Sequence, residues 1–150
     1  MDSRQSQQLS ESQIVESGVI ELDLTDNHGQ QRRLTDLKGK VVLLDFHSFT
    51  LKDSPQRILM LRELYNKYHA QGLEIYQVSI DGDEHFWKQQ TQELPWISVR
   101  DNSTQSVAKY NVGAVPEYFT IDRQNQLQKR STQIADLDKE IAGLLSFRAD

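Results

Sequence analysis

Gly39-Lys40-Val41-Val42-Leu43-Leu44-Asp45-Phe46-His47-Ser48-Phe49-Thr50-Leu51-Lys52-Asp53-Ser54-Pro55 holds a strand and a helix start side by side. Val41 to Phe46 is an almost unbroken apolar run, which suits a strand covered on both faces. Ser54-Pro55 then reads as a helix start, with the serine hydroxyl expected at the N-cap and the proline in the first turn. Beyond it Ile58, Leu61, Leu64, Tyr65 and Tyr68 recur at helical spacing until Gly72 stops the helix. Leu73–Ile80 reads as the next strand. Strand, long helix and strand in this order imply parallel pairing through a crossover.

Upstream, Val19–Leu24 alternates as a half-buried strand would. Asp26-Asn27-His28-Gly29 supplies a turn before a second short extended piece. Leu34–Leu37 suits one helical turn closed by Gly39. Downstream, the pattern predicts a short helix over Asp83–Gln92, an extended piece over Ile97–Arg100 and a helix over Ser103–Tyr110. Tyr118–Ile121 and Leu127–Lys129 read as a hairpin across Arg123–Asn125, and Ile134–Leu145 as a closing amphipathic helix. The expected class is α/β: a central mixed sheet flanked by helices, with an N-terminal β-hairpin extension. Residues 1–17, rich in Ser, Gln and charge, cannot bury enough surface to offset their ordering entropy. They are expected to be a flexible tail or linker remnant, leaving one domain over 18–150.

With 37% apolar and 26% charged residues, the 150-residue chain has the balance of a single soluble core. The net charge is −5 and no Lys/Arg run stands out, which disfavours nucleic acid or an anionic membrane as partner. No apolar stretch approaches the roughly 20 residues of a membrane span. The first residues lack the apolar centre of a signal peptide. The chain contains no cysteine. That removes disulfides, thiolate metal sites and cysteine nucleophiles together.

From about residue 18 to 145 the chain resembles the TlpA-like branch of the thioredoxin superfamily, related to the AhpC/TSA proteins. Gly39–Phe46 is similar to the central strand of that family, and Leu64-Tyr65-Asn66-Lys67-Tyr68 to its first long helix. Gly72-Leu73-Glu74-Ile75, Leu94-Pro95-Trp96 and Val107-Ala108-Lys109-Tyr110-Asn111-Val112 follow at matching places. So do Ala114-Val115-Pro116, where the family carries a cis-proline, and Tyr118-Phe119-Thr120-Ile121-Asp122-Arg123. The resemblance implies a thioredoxin fold, descent from thiol–disulfide oxidoreductases, and a periplasmic or cell-envelope setting. The W-C-x-x-C sequence of the family would fall on Thr50, Leu51, Lys52, Asp53 and Ser54. Leu51 thus stands for the attacking cysteine and Ser54 for the resolving one, while His47 and Thr50 replace tryptophans.

The resemblance also implies that Asp45 lies beneath the site. It is expected to be a buried carboxyl held by hydrogen bonds near Gln77, with no cation beside it. Val115 would offer its backbone to an extended peptide. His47 and Asp53 are too few for a metal site, and no cofactor is expected. Ser54, with its hydroxyl spent as an N-cap, is not expected to join a Ser–His–Asp arrangement. Asp81, Asp83, Glu84 and His85 read as a solvated helix N-terminus, and Asn102-Ser103-Thr104 as the start of the next helix. Trp87, Trp96, Tyr76 and Phe119 read as core. The expected function is a redox-inactive module that holds a peptide or a neighbouring domain in a groove formed by Phe49, Thr50, Leu51, Asp53, Val115 and Pro116. The alternatives are a component of a thiol–disulfide or peroxiredoxin-like system whose cysteines lie elsewhere, and a purely structural domain of a larger envelope protein.

Overall fold

Val41–His47 (β3) is buried along its whole length in the computed structural model, which describes residues 18–147. Successive residues of a strand point to opposite faces, and β3 feeds two cores accordingly. Val42, Leu44 and Phe46 join Tyr76, Val78, Val99, Tyr110, Phe119 and Ile121 on one face. Val41 and Leu43 meet Leu61, Leu64, Tyr65, Tyr68, Leu73, Ile75, Trp96, Ile141 and Leu145 on the other. Each such large side chain contributes about 1.5–3 kcal/mol on burial. Trp87 is buried as well, so all four aromatics read as core are core.

The helix after β3 spans Ser54–Tyr68 (α1) and runs into a 3₁₀ turn, His69–Gln71. Gly72 ends it at φ 116°, a left-handed backbone that glycine adopts without strain. Next come β4 (Leu73–Ser79), α2 (Glu84–Thr91), β5 (Ile97–Arg100) and α3 (Gln105–Lys109). The chain closes with the hairpin β6 (Glu117–Ile121) and β7 (Leu127–Arg130), a 3₁₀ turn at Ser131–Gln133, and α4 (Leu137–Ser146). The five-stranded sheet has the order β5-β4-β3-β6-β7. β3, β4 and β5 are parallel; β6 and β7 are antiparallel. This is the mixed sheet expected from the crossovers and the terminal hairpin.

The first strand is shorter than its alternation suggests. β1 covers only Asp23–Thr25 and pairs with β2, Gln31–Arg33. Val19 and Leu22 are buried because they pack under the sheet, not because they belong to a ladder. The carbonyls of Ile20 and Leu22 take the Tyr110 hydroxyl and the Leu34 amide. The small hairpin lies along β5: Asp26 bridges Val99, and the Asn27 amide donates to the Ser98 carbonyl at 3.1 Å. Leu34–Leu37 forms the expected single turn, as 3₁₀. The last three helices start later than expected, each where a cap or turn intervenes. Asp83 and Asp136 accept from Phe86 N and Lys139 N at the starts of α2 and α4. Thr104, in left-handed conformation at φ 64°, delays α3. Among the described residues no helix is long and apolar enough to cross a membrane. The expectation for residues 1–17 lies outside the described residues.

Candidate functional site

The carboxyl end of β3 and the amino end of β6 set one end of the sheet. Phe46 pairs with Glu117, and continuing that antiparallel register by one residue sets His47 opposite Pro116. Phe49, Thr50, Leu51 and Asp53 follow His47, and Val115 precedes Pro116. The six residues expected to form the groove therefore gather at this end. The Val115–Pro116 bond is cis. Phe49 is buried and Leu51 and Val115 are half-buried, leaving Thr50, Asp53 and Pro116 as the exposed surface. Arg130 pins the backbone that leads to Pro116, donating to the carbonyls of Tyr110 at 2.7 Å and Asn111 at 3.1 Å.

Ser54 is not the N-cap. Asp53 holds that place; its carbonyl takes the Arg57 amide at 3.1 Å, and its side chain makes no capping bond. Ser54 is the first helical residue, and its Oγ lies 2.7 Å from His47 Nε2. An exposed helix end can be satisfied by water, whereas a buried imidazole needs a partner from the protein. The longer-range demand won. The His47 ring also packs edge-on against Phe49, with centroids 4.6 Å apart. Desolvation by burial pushes the imidazole below its ordinary 6.5, against the attraction of Asp45 and with the repulsion of Arg57. His47 is therefore neutral at pH 7, and its Nδ1 has no hydrogen-bond partner among the described residues. Among the described residues no carboxylate is hydrogen-bonded to the ring, and Ser54 is only 3% exposed. The pair lacks both the orienting acid and the access of a nucleophilic triad.

Asp45 does have a cation, contrary to the sequence expectation. Arg57, at the end of the first turn of α1, donates Nη2 to one carboxylate oxygen at 2.8 Å. Gln77, its register partner on β4, donates to the other at 3.0 Å. The Gln77 side-chain oxygen Oε1 in turn accepts Trp96 Nε1 at 3.0 Å. The guanidinium sits 5.2 Å from the Tyr118 ring centroid. Asp45 is fully buried, and the Arg57 side chain is 15% exposed. Asp45 near Gln77 is thus the centre of a four-residue buried chain and not a lone carboxyl.

Asp81 does not belong to a solvated helix end either. It is buried, accepting Ser48 Oγ at 2.8 Å on one oxygen and the Phe49 amide at 3.0 Å on the other. Ser79 Oγ adds a bond at 2.5 Å, and Ser48 Oγ also meets Thr50 Oγ1 at 2.7 Å. Ile80 N donates to the His47 carbonyl at 3.0 Å, extending the β3–β4 ladder so that the next residue faces the loop. Asp83 alone caps α2, Glu84 pairs with Lys88 and Arg100, and His85 is exposed. The loop itself is a tight turn, with Leu51 N on Ser48 O at 3.2 Å and Ser54 N on Leu51 O at 3.1 Å. Among the described residues no three His, Cys, Asp or Glu side chains gather as metal ligands would.

Residues 15–130 match the AhpC/TSA family. The thiol-disulfide oxidoreductases ResA of Bacillus cereus and Geobacillus kaustophilus are both 33% identical, over 71% and 77% of this chain. The chain spans 63% of the length of the first and 67% of the second. A thioredoxin-like protein from Bacteroides vulgatus, solved in solution, superimposes with a TM-score of 0.80 at 48% identity, covering 86% of this chain and 87% of that one. The thioredoxin domain of a thiol-disulfide oxidoreductase from the same species reaches 0.76 at 24% identity, covering 85% of this chain and 94% of its own, which speaks to the fold alone.

Proposed function

The chain belongs to the AhpC/TSA family and has a thioredoxin-like fold, and we propose that it works there as a redox-silent interaction module. Thiol–disulfide exchange requires a thiolate that attacks sulfur, activated by a lowered pKa. The single observation that carries the reading is what occupies the two sulfur positions. Leu51 offers no nucleophile, and the Ser54 hydroxyl is bonded to a buried, neutral His47 at 2.7 Å. The surrounding frame is nevertheless held by buried polar contacts. In this reading Thr50, Leu51 and Asp53 on one side and Val115 and Pro116 on the other form the groove that takes an extended peptide or a segment of a neighbouring domain. The kinship with ResA proteins supports a periplasmic or cell-envelope setting.

A peptide array probed with the whole chain, followed by pull-down of the peptides it retains, tests the groove. Leu51→Lys and Pro116→Ala are expected to weaken capture, while a distant surface change such as Gln89→Ala leaves it intact. Groove variants that capture as wild type does remove this surface from consideration.

A second reading draws on the same relatives. They are oxidoreductases, and this chain spans 63% of the first. In that reading the domain serves a thiol–disulfide or peroxiredoxin-like system whose cysteines lie on another chain or segment. Insulin reduction and hydroperoxide consumption separate the two: turnover by this chain alone contradicts redox silence.

A further inference from the structure

One atom at the head of the loop is left without a partner among the described residues. His47 is fully buried, Nε2 faces Ser54 Oγ at 2.7 Å, and Nδ1 makes no hydrogen bond. In a neutral imidazole one ring nitrogen donates and the other accepts, and a serine hydroxyl serves either role. A second proton makes both nitrogens donors. One then has no acceptor, and a charge is added where water is excluded.

We propose that His47 is an acid-sensitive latch on the groove: on gaining a proton its ring leaves the pocket, lets go of Ser54 and Phe49, and frees the turn from Thr50 to Ser54. This rests on the groove reading above and adds its regulation. The charged groups around the ring do not rescue the proton. On β3, Asp45 attracts it, but both carboxylate oxygens are engaged by Arg57 and Gln77. From α1, Arg57 repels it. Beyond β4, Asp81 is occupied by Ser48, Ser79 and the Phe49 amide. Asp53 is exposed and its attraction is solvent-screened. On β6 the residue opposite is Pro116, and Glu117 next to it is taken by Ser131 and Arg130. Desolvation is the largest influence on the ring and outweighs these attractions. The Asp81 clamp, which holds Ser48 and the Phe49 amide independently of the imidazole, keeps the opening local.

Amide hydrogen exchange on the whole chain reads the latch without any ligand. Leu51 and Ser54 report on the turn, since their amides are bonded to Ser48 O and Leu51 O. Corrected for intrinsic rates, their protection is expected to fall about tenfold or more between about pH 7.5 and 5, while β3 and β4 stay protected. The fall should track the His47 ring signal in a nuclear magnetic resonance titration, with the exposed His28, His69 and His85 as in-chain comparison. His47→Phe should abolish the pH response. If that variant does not fold, Ser54→Ala, which removes the partner, should lower protection already at neutral pH and shrink the response. Protection that holds while the ring titrates, or that falls equally in His47→Phe, overturns the latch. Because no ligand enters this experiment, its failure leaves the groove to be judged by the array, whereas a failed array removes the regulatory role and leaves only the acid-driven opening of the turn.

Discussion

Replacing Arg57 by Met tests whether the Asp45 charge depends on the helix for its partner. The substitution keeps the length of the aliphatic stem, so packing against Tyr118 is largely retained while the guanidinium disappears. Asp45 is fully buried and the Arg57 side chain is 15% exposed, so the carboxylate loses its cation in a site that water barely enters. Removing one partner of a buried ion pair costs roughly 3–5 kcal/mol. The remaining bond from Gln77 and the slight exposure of Arg57 argue for the lower end. With a urea dependence of about 2 kcal/mol per molar, a loss of about 3 kcal/mol lowers the unfolding midpoint by about 1.5 M. Asp45→Asn in the same background removes the stranded charge, and because neutral replacement of a buried pair is often tolerated, the double variant should return to within about 1 kcal/mol of wild type. Adding Asp45→Asn should thus recover about 2 kcal/mol of the loss caused by Arg57→Met. A midpoint shift under about 0.5 M for Arg57→Met, or a double variant no more stable than the single one, refutes the dependence.

Restoring both sulfurs is expected to create what the chain lacks. The Ser54 N to Leu51 O bond at 3.1 Å closes a turn whose end Cα atoms lie within about 7 Å, near the disulfide range of about 4.4–6.8 Å. Leu51→Cys with Ser54→Cys should form an intramolecular disulfide on air oxidation, read by thiol counting in a mass spectrometer. Global stability should also fall with acid through His47. Its folded-state pKa is lowered, so the unfolded chain binds more protons below 6.5; the contribution is complete above that pH and lost as pH falls beneath it. Urea midpoints taken across this range should show the slope, and His47→Phe should flatten it. Glu74 carries the opposite sign for a carboxyl: burial raises it above 4.5, against the Ile75 amide that it accepts. Glu74→Gln should therefore be more stable than wild type at pH 7, with the gap closing as pH falls towards 4.5 and gone below it.

The frame was legible because its signals are local and redundant. Val41–Phe46 is apolar at nearly every position, and the α1 stripe repeats over four turns, so no competing assignment arises. The site was less legible because each of its bonds joins residues from different elements. A capping rule assigned the Ser54 hydroxyl to the nearest unsatisfied amides, while the stronger claim came from the end of β3. Sequence adjacency grouped Asp81 with Asp83, Glu84 and His85, yet the β3–β4 ladder turns it toward Ser48. Arg57 left a signal that could have been read. It lies three residues after Ser54 and four before Leu61, both buried, so a cation stood on the inward stripe of a helix that follows a strand with one acid. For Val19–Leu24 only Asp23 and Leu24 pair in a ladder, while Val19 and Leu22 report burial under the sheet.

Three separate polar anchors converge on a loop that has no sulfur to position. Each takes groups out of water, and buried polar contacts of this kind add little net stability compared with apolar packing of the same volume. What they provide is one conformation. Asp81 fixes the start of the loop through Ser48 and the Phe49 amide, His47 fixes its end through Ser54, and Asp45 with Arg57 fixes the first turn of α1 beneath it. Binding an extended peptide is weakened by whatever ordering the receptor must undergo, so a pre-set loop favours capture without covalent chemistry. The interaction reading thus predicts more than the survival of the fold. Asp81→Asn, which touches neither Leu51 nor Pro116 directly, should lower peptide capture by a larger factor than its effect on the unfolding midpoint explains; equal losses in both would mean that the anchors serve stability alone.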